Sequence, residues 1–170
     1  NLPGALRCEF AVRAGLRDAT GQPVNADIFR FDTGGPQVVT MRPADGDSRI
    51  DERQLFVLAF DAQVKPGTLA GRASCRVTGL AERIEVDVLQ GAEREAALQR
   101  LKAGNDPLFR RRFAPNAATT EVLRCKRPLP NEAQASLVLD PGGEAANGLA
   151  SREAQAFACK VRPAFRARAV

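Results

Sequence analysis

Arg83-Ile84-Glu85-Val86-Asp87-Val88-Leu89 decides the fold class. Ile84, Val86 and Val88 alternate strictly with Glu85 and Asp87. A period of two puts the three aliphatic side chains on one face and the two carboxylates on the other, the pattern of a half-buried β-strand. The same grammar recurs on both sides of it. Upstream lie 37–41 (Gln-Val-Val-Thr-Met), 53–61 around Leu55–Phe60, and 72–78 around Cys75 and Val77. Downstream lie 119–126, 135–140 and 154–162, the last with Phe157, Cys159 and Val161 on one face. Seven strands separated by turn residues predict an all-β, immunoglobulin-like sandwich.

One segment departs from this period. Residues 92–103 are helix formers with no β-branched member. Glu93 and Glu95 sit near the start, Arg100 and Lys102 near the end, and Gly104 follows as a stop. Ala97, Leu98 and Leu101 give a narrow apolar stripe. The reading is a short helix inserted between strands and lying on the sandwich, with 104–118 continuing the crossover as an irregular link.

Before Thr33-Gly34-Gly35-Pro36 the chain has only two strand candidates. In 6–13, Cys8, Phe10 and Val12 oppose Arg7, Glu9 and Arg13; in 26–32 the run is Ala-Asp-Ile-Phe-Arg-Phe-Asp. Between them Leu16–Pro23 is turn-rich. Two strands cannot bury a core alone. Residues 1–34 are therefore expected to be closing strands of a preceding β-sandwich. Residues 35–165 are expected to form a complete sandwich, and 166–170 the start of a linker.

Composition narrows the chemistry. The 170 residues include no His, Trp or Tyr, so neither a His-dependent triad nor a His metal ligand is available. The formal net charge is +5, which would suit an acidic partner. The basic residues are mostly arginines scattered along the chain, and no nucleic-acid partner is expected. The one dense run is Phe109-Arg110-Arg111-Arg112-Phe113, bracketed by Pro107 and Pro115. It is read as a solvated loop whose two phenylalanines dock on the sandwich, and it could also contact a protein partner, since Arg and aromatics are enriched at interfaces. No apolar run reaches the length of a membrane span, and no cofactor or metal site is expected. Asp45-Gly46-Asp47 with Asp51 lacks the full alternation of a calcium loop and is read as an acidic turn between strands. Asp32-Thr33-Gly34 matches the aspartic-protease motif, but that chemistry needs a second carboxylate. A dimeric protease through Asp32 is kept only as a remote alternative.

Cys8, Cys75, Cys125 and Cys159 are widely spaced, with no CxxC pair. Dispersed cysteines in a β-rich chain suit structural disulfides and an oxidising compartment, although four free buried thiols would also fit. Of the three pairings, Cys75–Cys125 is favoured, because both lie in strands of the intact domain and the bridge would staple the helical insertion. It would close a loop of about 50 residues, worth roughly 4 kcal/mol in the chain-entropy model. For Cys8 the partner is either lost with the preceding domain or is Cys159 across domains; a buried free thiol is the default for Cys159.

Leu2-Pro3-Gly4, Cys8-Glu9-Phe10, Gly15-Leu16-Arg17-Asp18, Gly21-Gln22-Pro23 and Phe29–Pro36 resemble the closing half of a bacterial immunoglobulin-like domain. The stretch Ile50–Asp61 resembles the opening of the next. With Gly91–Arg94, Arg127-Pro128-Leu129-Pro130 and Val161–Phe165, the chain is similar to the N-terminal region of bacterial alpha-2-macroglobulin-like proteins. That resemblance implies a protease-trapping protein of the periplasm, built from macroglobulin-type β-sandwiches. Target proteases would be held by regions outside these residues, any inner-membrane anchor would also lie outside them, and an envelope protein is a further candidate partner. None of the four cysteines begins the Cys-x-Glu-Gln thioester of many family members, and no bait segment is recognisable. No inhibitory residue is carried over. The expectation is a non-enzymatic scaffold segment; an adhesin or surface-layer type immunoglobulin-like binding module is the alternative.

Overall fold

The computed structural model describes residues 2–103 and 117–164, leaving aside the side chains of residues 102, 103 and 117. The fold is all-β with a single α-helix among the described residues. Strands β1 (Arg7–Ala11) and β2 (Ile28–Asp32) form a two-stranded antiparallel sheet of their own. Eight further strands are β3 (Val38–Arg42), β4 (Asp47–Ile50), β5 (Leu55–Phe60), β6 (Ala73–Val77), β7 (Ile84–Val88), β8 (Thr120–Cys125), β9 (Gln134–Leu139) and β10 (Gln155–Val161). They follow one another in the order β3-β5-β8-β7-β6-β9-β10-β4.

That string folds into two layers because β7 changes partner midway. Ile84 and Glu85 pair with β6, whereas Val86, Asp87 and Val88 pair with β8. One layer is β3-β5-β8-β7 and the other β7-β6-β9-β10-β4. The first strand is also shared: β3 pairs antiparallel with β5, and after a short bend β4 pairs parallel with β10 in the opposite layer. This is the strand arrangement of an immunoglobulin-like sandwich.

The core lies between the layers. Phe56, Leu58 and Phe60 of β5, Cys75 and Val77 of β6, Leu123 of β8, Leu137 of β9 and Val161 of β10 are all buried there. The alternate residues of β5, Val57 and Ala59, point outward yet are also buried. Helix α1 (Gly91–Ala103) covers them, packing Ala97 and Leu98 against Val57, Ala59, Leu89 and Val122. This double burial explains why Leu55–Phe60 is continuously apolar while β7 alternates: a strand covered on both faces has no polar side. The insertion read from sequence as a helix on the sandwich is thus a second, smaller core.

Two expectations need correction. Residues 45–51 are more than an acidic turn, because Asp47–Ile50 is β4, an eighth strand of the sandwich. It is four residues long and its partner lies more than a hundred residues away, so alternation within it carries almost no signal. The alternation in residues 6–13 is also real, but the face carrying Cys8, Phe10 and Val12 is not buried. Phe10 is 60% exposed.

Candidate functional site

The β1–β2 register puts Cys8 opposite Phe31 and Phe10 opposite Phe29. Opposed residues of an antiparallel pair share a face, so these four side chains form one apolar surface. Phe29 and Phe31 are 54% and 53% exposed, like Phe10. The Phe10 and Phe29 rings lie 6.3 Å apart, tilted by 38°. On the other face Arg30 pairs with Glu9 at 3.0 Å. The hairpin therefore has the amphipathic make-up of a sheet built to cover a core, with no core beneath it among the described residues. Its far end is ordered locally: Asp18 Oδ1 accepts from the Thr20 and Gln22 amides and from the Thr20 hydroxyl. Those bonds, the Thr20 hydroxyl first, hold the Asp18 carboxyl below its ordinary pKa.

A second feature is the cleft of about 860 Å³ where β7 crosses between the layers. Val64, Leu69, Val86 and Val88 give it apolar walls, and charged side chains surround them. The charges are largely matched within the chain. Lys126 pairs with Glu85 at 2.6 Å, Lys65 with Glu144 at 3.1 Å, and Arg83 with Asp140. The Lys126 bond lowers the Glu85 pKa and raises that of Lys126. Glu121 differs: burial raises its pKa, and the nearby Arg94 charge offsets only part of the shift. Ser74 also lines the cleft; its hydroxyl is buried without a hydrogen-bond partner. Among the described residues no base stands within hydrogen-bond reach of it.

Cys75 and Cys125, the pair favoured on the sequence, are joined by a disulfide with Cα atoms 6.0 Å apart. Cys75 lies on β6 and Cys125 on β8, so the bridge ties one layer to the other. Cys8 and Cys159 are free thiols, the first half-buried and the second buried. Burial, with lesser contributions from Asp47 and Asp45, pushes the Cys159 thiol up to about 11. Phe109, Arg110, Arg111, Arg112 and Phe113 lie outside the described residues. Asp32 Oδ1 accepts from the Gly34 amide at 2.9 Å and from the Arg152 guanidinium at 2.5 Å. Arg152 is thus an ion-pair partner of this carboxylate. Asp45 caps the Ala158 amide, Asp47 accepts from Arg49 N, and Asp51 pairs with Arg162. Among the described residues no group of three or more His, Cys, Asp or Glu is placed to hold a metal ion. No described helix is long and apolar enough to cross a membrane.

The sequence reading passed over residues 141–152, the loop joining β9 to β10. Its Asn147 and Arg152 reach the first thirty-four residues: Asn147 Nδ2 donates to Ala5 O at 2.7 Å, and Arg152 holds Asp32. The Asn147-Gly148 pair signals a tight turn, but nothing local says what that turn would meet.

No family model matches the chain, and no curated protein matches it. Similar folds occur among solved structures of the bacterial surface-layer protein SbsC. The 31–844 segment is 13% identical over 78% of this chain, with a TM-score of 0.46. The N-terminal part is 14% identical over 75%, TM-score 0.46, and domains 1–6 are 14% identical over 79%, TM-score 0.47. The chain spans 14%, 24% and 15% of those three structures respectively.

Proposed function

We propose that this chain is a non-catalytic scaffold and interaction segment of a larger extracytoplasmic protein. In this reading the 35–165 sandwich is a spacer, and residues 1–34 complete a neighbouring β-sandwich of the same protein. The observation that carries it is the bare apolar face of β1–β2. Three phenylalanines more than half exposed on a two-stranded sheet support it, since one wall of a sandwich without the other would bare such a face. The disulfide across the layers favours an oxidising compartment. The resemblance read from the sequence makes the host an alpha-2-macroglobulin-like, protease-trapping protein of the periplasm. Its target proteases would be engaged by other parts of the molecule.

The test is alkylation of Cys8, which lies on the apolar face. In the full-length protein Cys8 is expected to resist iodoacetamide, while in the 170-residue chain it reacts readily. Equal reactivity in both would overturn the completed-sandwich reading. Incubating the full-length protein with a broad-specificity protease then tests the host. Cleavage that leaves the protease enclosed supports the protease-trapping assignment. Tandem sandwiches that enclose nothing would replace it with a surface-layer or adhesin array.

A further inference from the structure

The junction between β2 and β3 is packed on three sides. Gly34, Gly35 and Pro36 are all buried. Gly35 N donates to Ala150 O at 2.9 Å, and a Cβ on Gly35 would stand 2.3 Å from both Ala150 C and Ser151 N. That is backbone against backbone, so only glycine fits there. From the other side Ala5 N donates to Gly34 O at 2.8 Å. Gly4 is buried against Asp61, where a Cβ would come 2.6 Å from Oδ1, the atom that accepts from Gln37 N. Asn147 Nδ2 donates to Ala5 O at 2.7 Å, and Arg7 donates back to Asn147 O at 3.3 Å.

The loop that makes these contacts is itself fixed to the sandwich. Ser151 Oγ accepts from Gly142 and Gly143, and Ser151 N donates to Gly143 O. Ala145 is buried and bridges Val64, while Lys65 N donates to Glu144 O at 2.7 Å. A chain of hydrogen bonds therefore runs from the sandwich, through the β9–β10 loop, to Ala5, Gly34 and Gly35.

We infer that residues 4–7, 32–37 and 142–152 form a rigid joint that fixes the angle between the β1–β2 sheet and the 35–165 sandwich. The inference deepens the spacer reading and rests on it for its purpose: the body completed by β1–β2 is held at a set angle to the sandwich. Freely jointed domains would need an exposed linker with few contacts across it, and this one is buried with its amides bonded on both sides. Asn147, Arg152 and Gly35 are positioning residues. The close approach at Gly35 seats the junction, and the Asn147 and Arg152 bonds to Ala5 and Asp32 hold the hairpin at its angle on that seat.

Residual dipolar couplings on the 170-residue chain test this directly, with cross-strand NOEs between β1 and β2 as a check that the hairpin is formed. In the wild-type chain, amides of residues 7–11 and 28–32 should fit the same alignment tensor as those of the sandwich. In the Asn147→Ala, Arg152→Ala double variant, hairpin couplings should shrink toward zero while the NOEs persist. Gly35→Ala should do the same. The double variant keeps the test alive if Gly35→Ala fails to fold. Hairpin couplings already scaled down in the wild type with NOEs intact would overturn the joint, as would couplings unchanged in the double variant. Either failure is separate from failure of the spacer reading, which shows in Cys8 reactivity of the full-length protein.

Discussion

Two cysteines that share a redox state in this chain face opposite chemistry. The thiolate is the reactive form, and Cys159, buried with its thiol pushed up to about 11, holds almost none at neutral pH. Its Sγ–H instead donates to Ala135 O, with Sγ 3.4 Å from that oxygen. Cys8 stands half-buried on an otherwise open face. In the isolated chain at pH 8, iodoacetamide should therefore modify Cys8 and spare Cys159 until the fold is denatured. Mass spectrometry showing Cys159 modified first would contradict the burial assigned to it. Glu121 gives the second test at this scale. Burial raises its pKa above the ordinary 4.5, so the folded state binds the proton more tightly than the unfolded state. Stability contributed by its neutral form is complete below the unfolded pKa and is lost as pH rises through the folded one. Glu121→Gln, which cannot ionise, should be more stable than wild type at pH 7. The two should converge below a pH of about 4, where both are neutral. Urea titrations at both pH values read this out; a wild type more stable at pH 7 would mean the Arg94 attraction outweighs burial.

Elements differ in what they are worth to the fold, and substitutions should sort them. Leu98 of α1 is buried against β5 and β8, so Leu98→Ala should cost about 2–5 kcal/mol, as large-to-small changes in a core do. Phe10→Thr, Phe29→Thr and Phe31→Thr remove equally large side chains from an exposed face. Each should shift stability by only about 0.5 kcal/mol or less, while reducing binding of a hydrophobic dye. A dye signal unchanged in all three would place the sticky surface elsewhere. These contrasts also mark how far the sequence could be read. Alternation in Arg83–Leu89 and the helix formers of 92–103 are local signals, and local signals placed nine of the ten described strands and the helix within a few residues. What the period of two reports is amphipathicity. It separates Cys8, Phe10 and Val12 from Arg7 and Glu9 correctly, yet says nothing of whether a partner covers them. β4 escaped because a four-residue strand paired with distant β10 has no local signature. The joint at Gly35 escaped for a related reason: it depends on Ala150 and Ser151, more than a hundred residues further along the chain, and on backbone atoms that every residue possesses.

At the scale of the whole molecule, the sandwich depends on its two layers staying together at the strand they share. At β7 a single strand is divided between the layers, two residues on β6 and three on β8, and the charged cleft opens beside it. The Cys75–Cys125 disulfide spans this place from β6 to β8, immediately on either side of β7, and closes a separation of 50 residues that contains α1. Its removal should loosen the unfolded chain by roughly 4 kcal/mol in the entropy model. For a domain of this size that corresponds to a fall in Tm of about 10 °C. Both cysteines are buried, so mild reductant should act slowly on the native protein and quickly once it is partly unfolded. A Cys75→Ala, Cys125→Val variant separates the bridge from the thiols. It should melt about 10 °C lower while keeping the far-ultraviolet signature of a β-sandwich. Deuterium exchange in that variant should rise first in β7, whose pairing is split between the layers, and in the 61–72 loop, and last in β9, which is paired along nearly its whole length with both β6 and β10. If exchange rises uniformly, the bridge acts only through the unfolded chain; if Tm does not move, the matched charges and the apolar core already hold the two layers together without it.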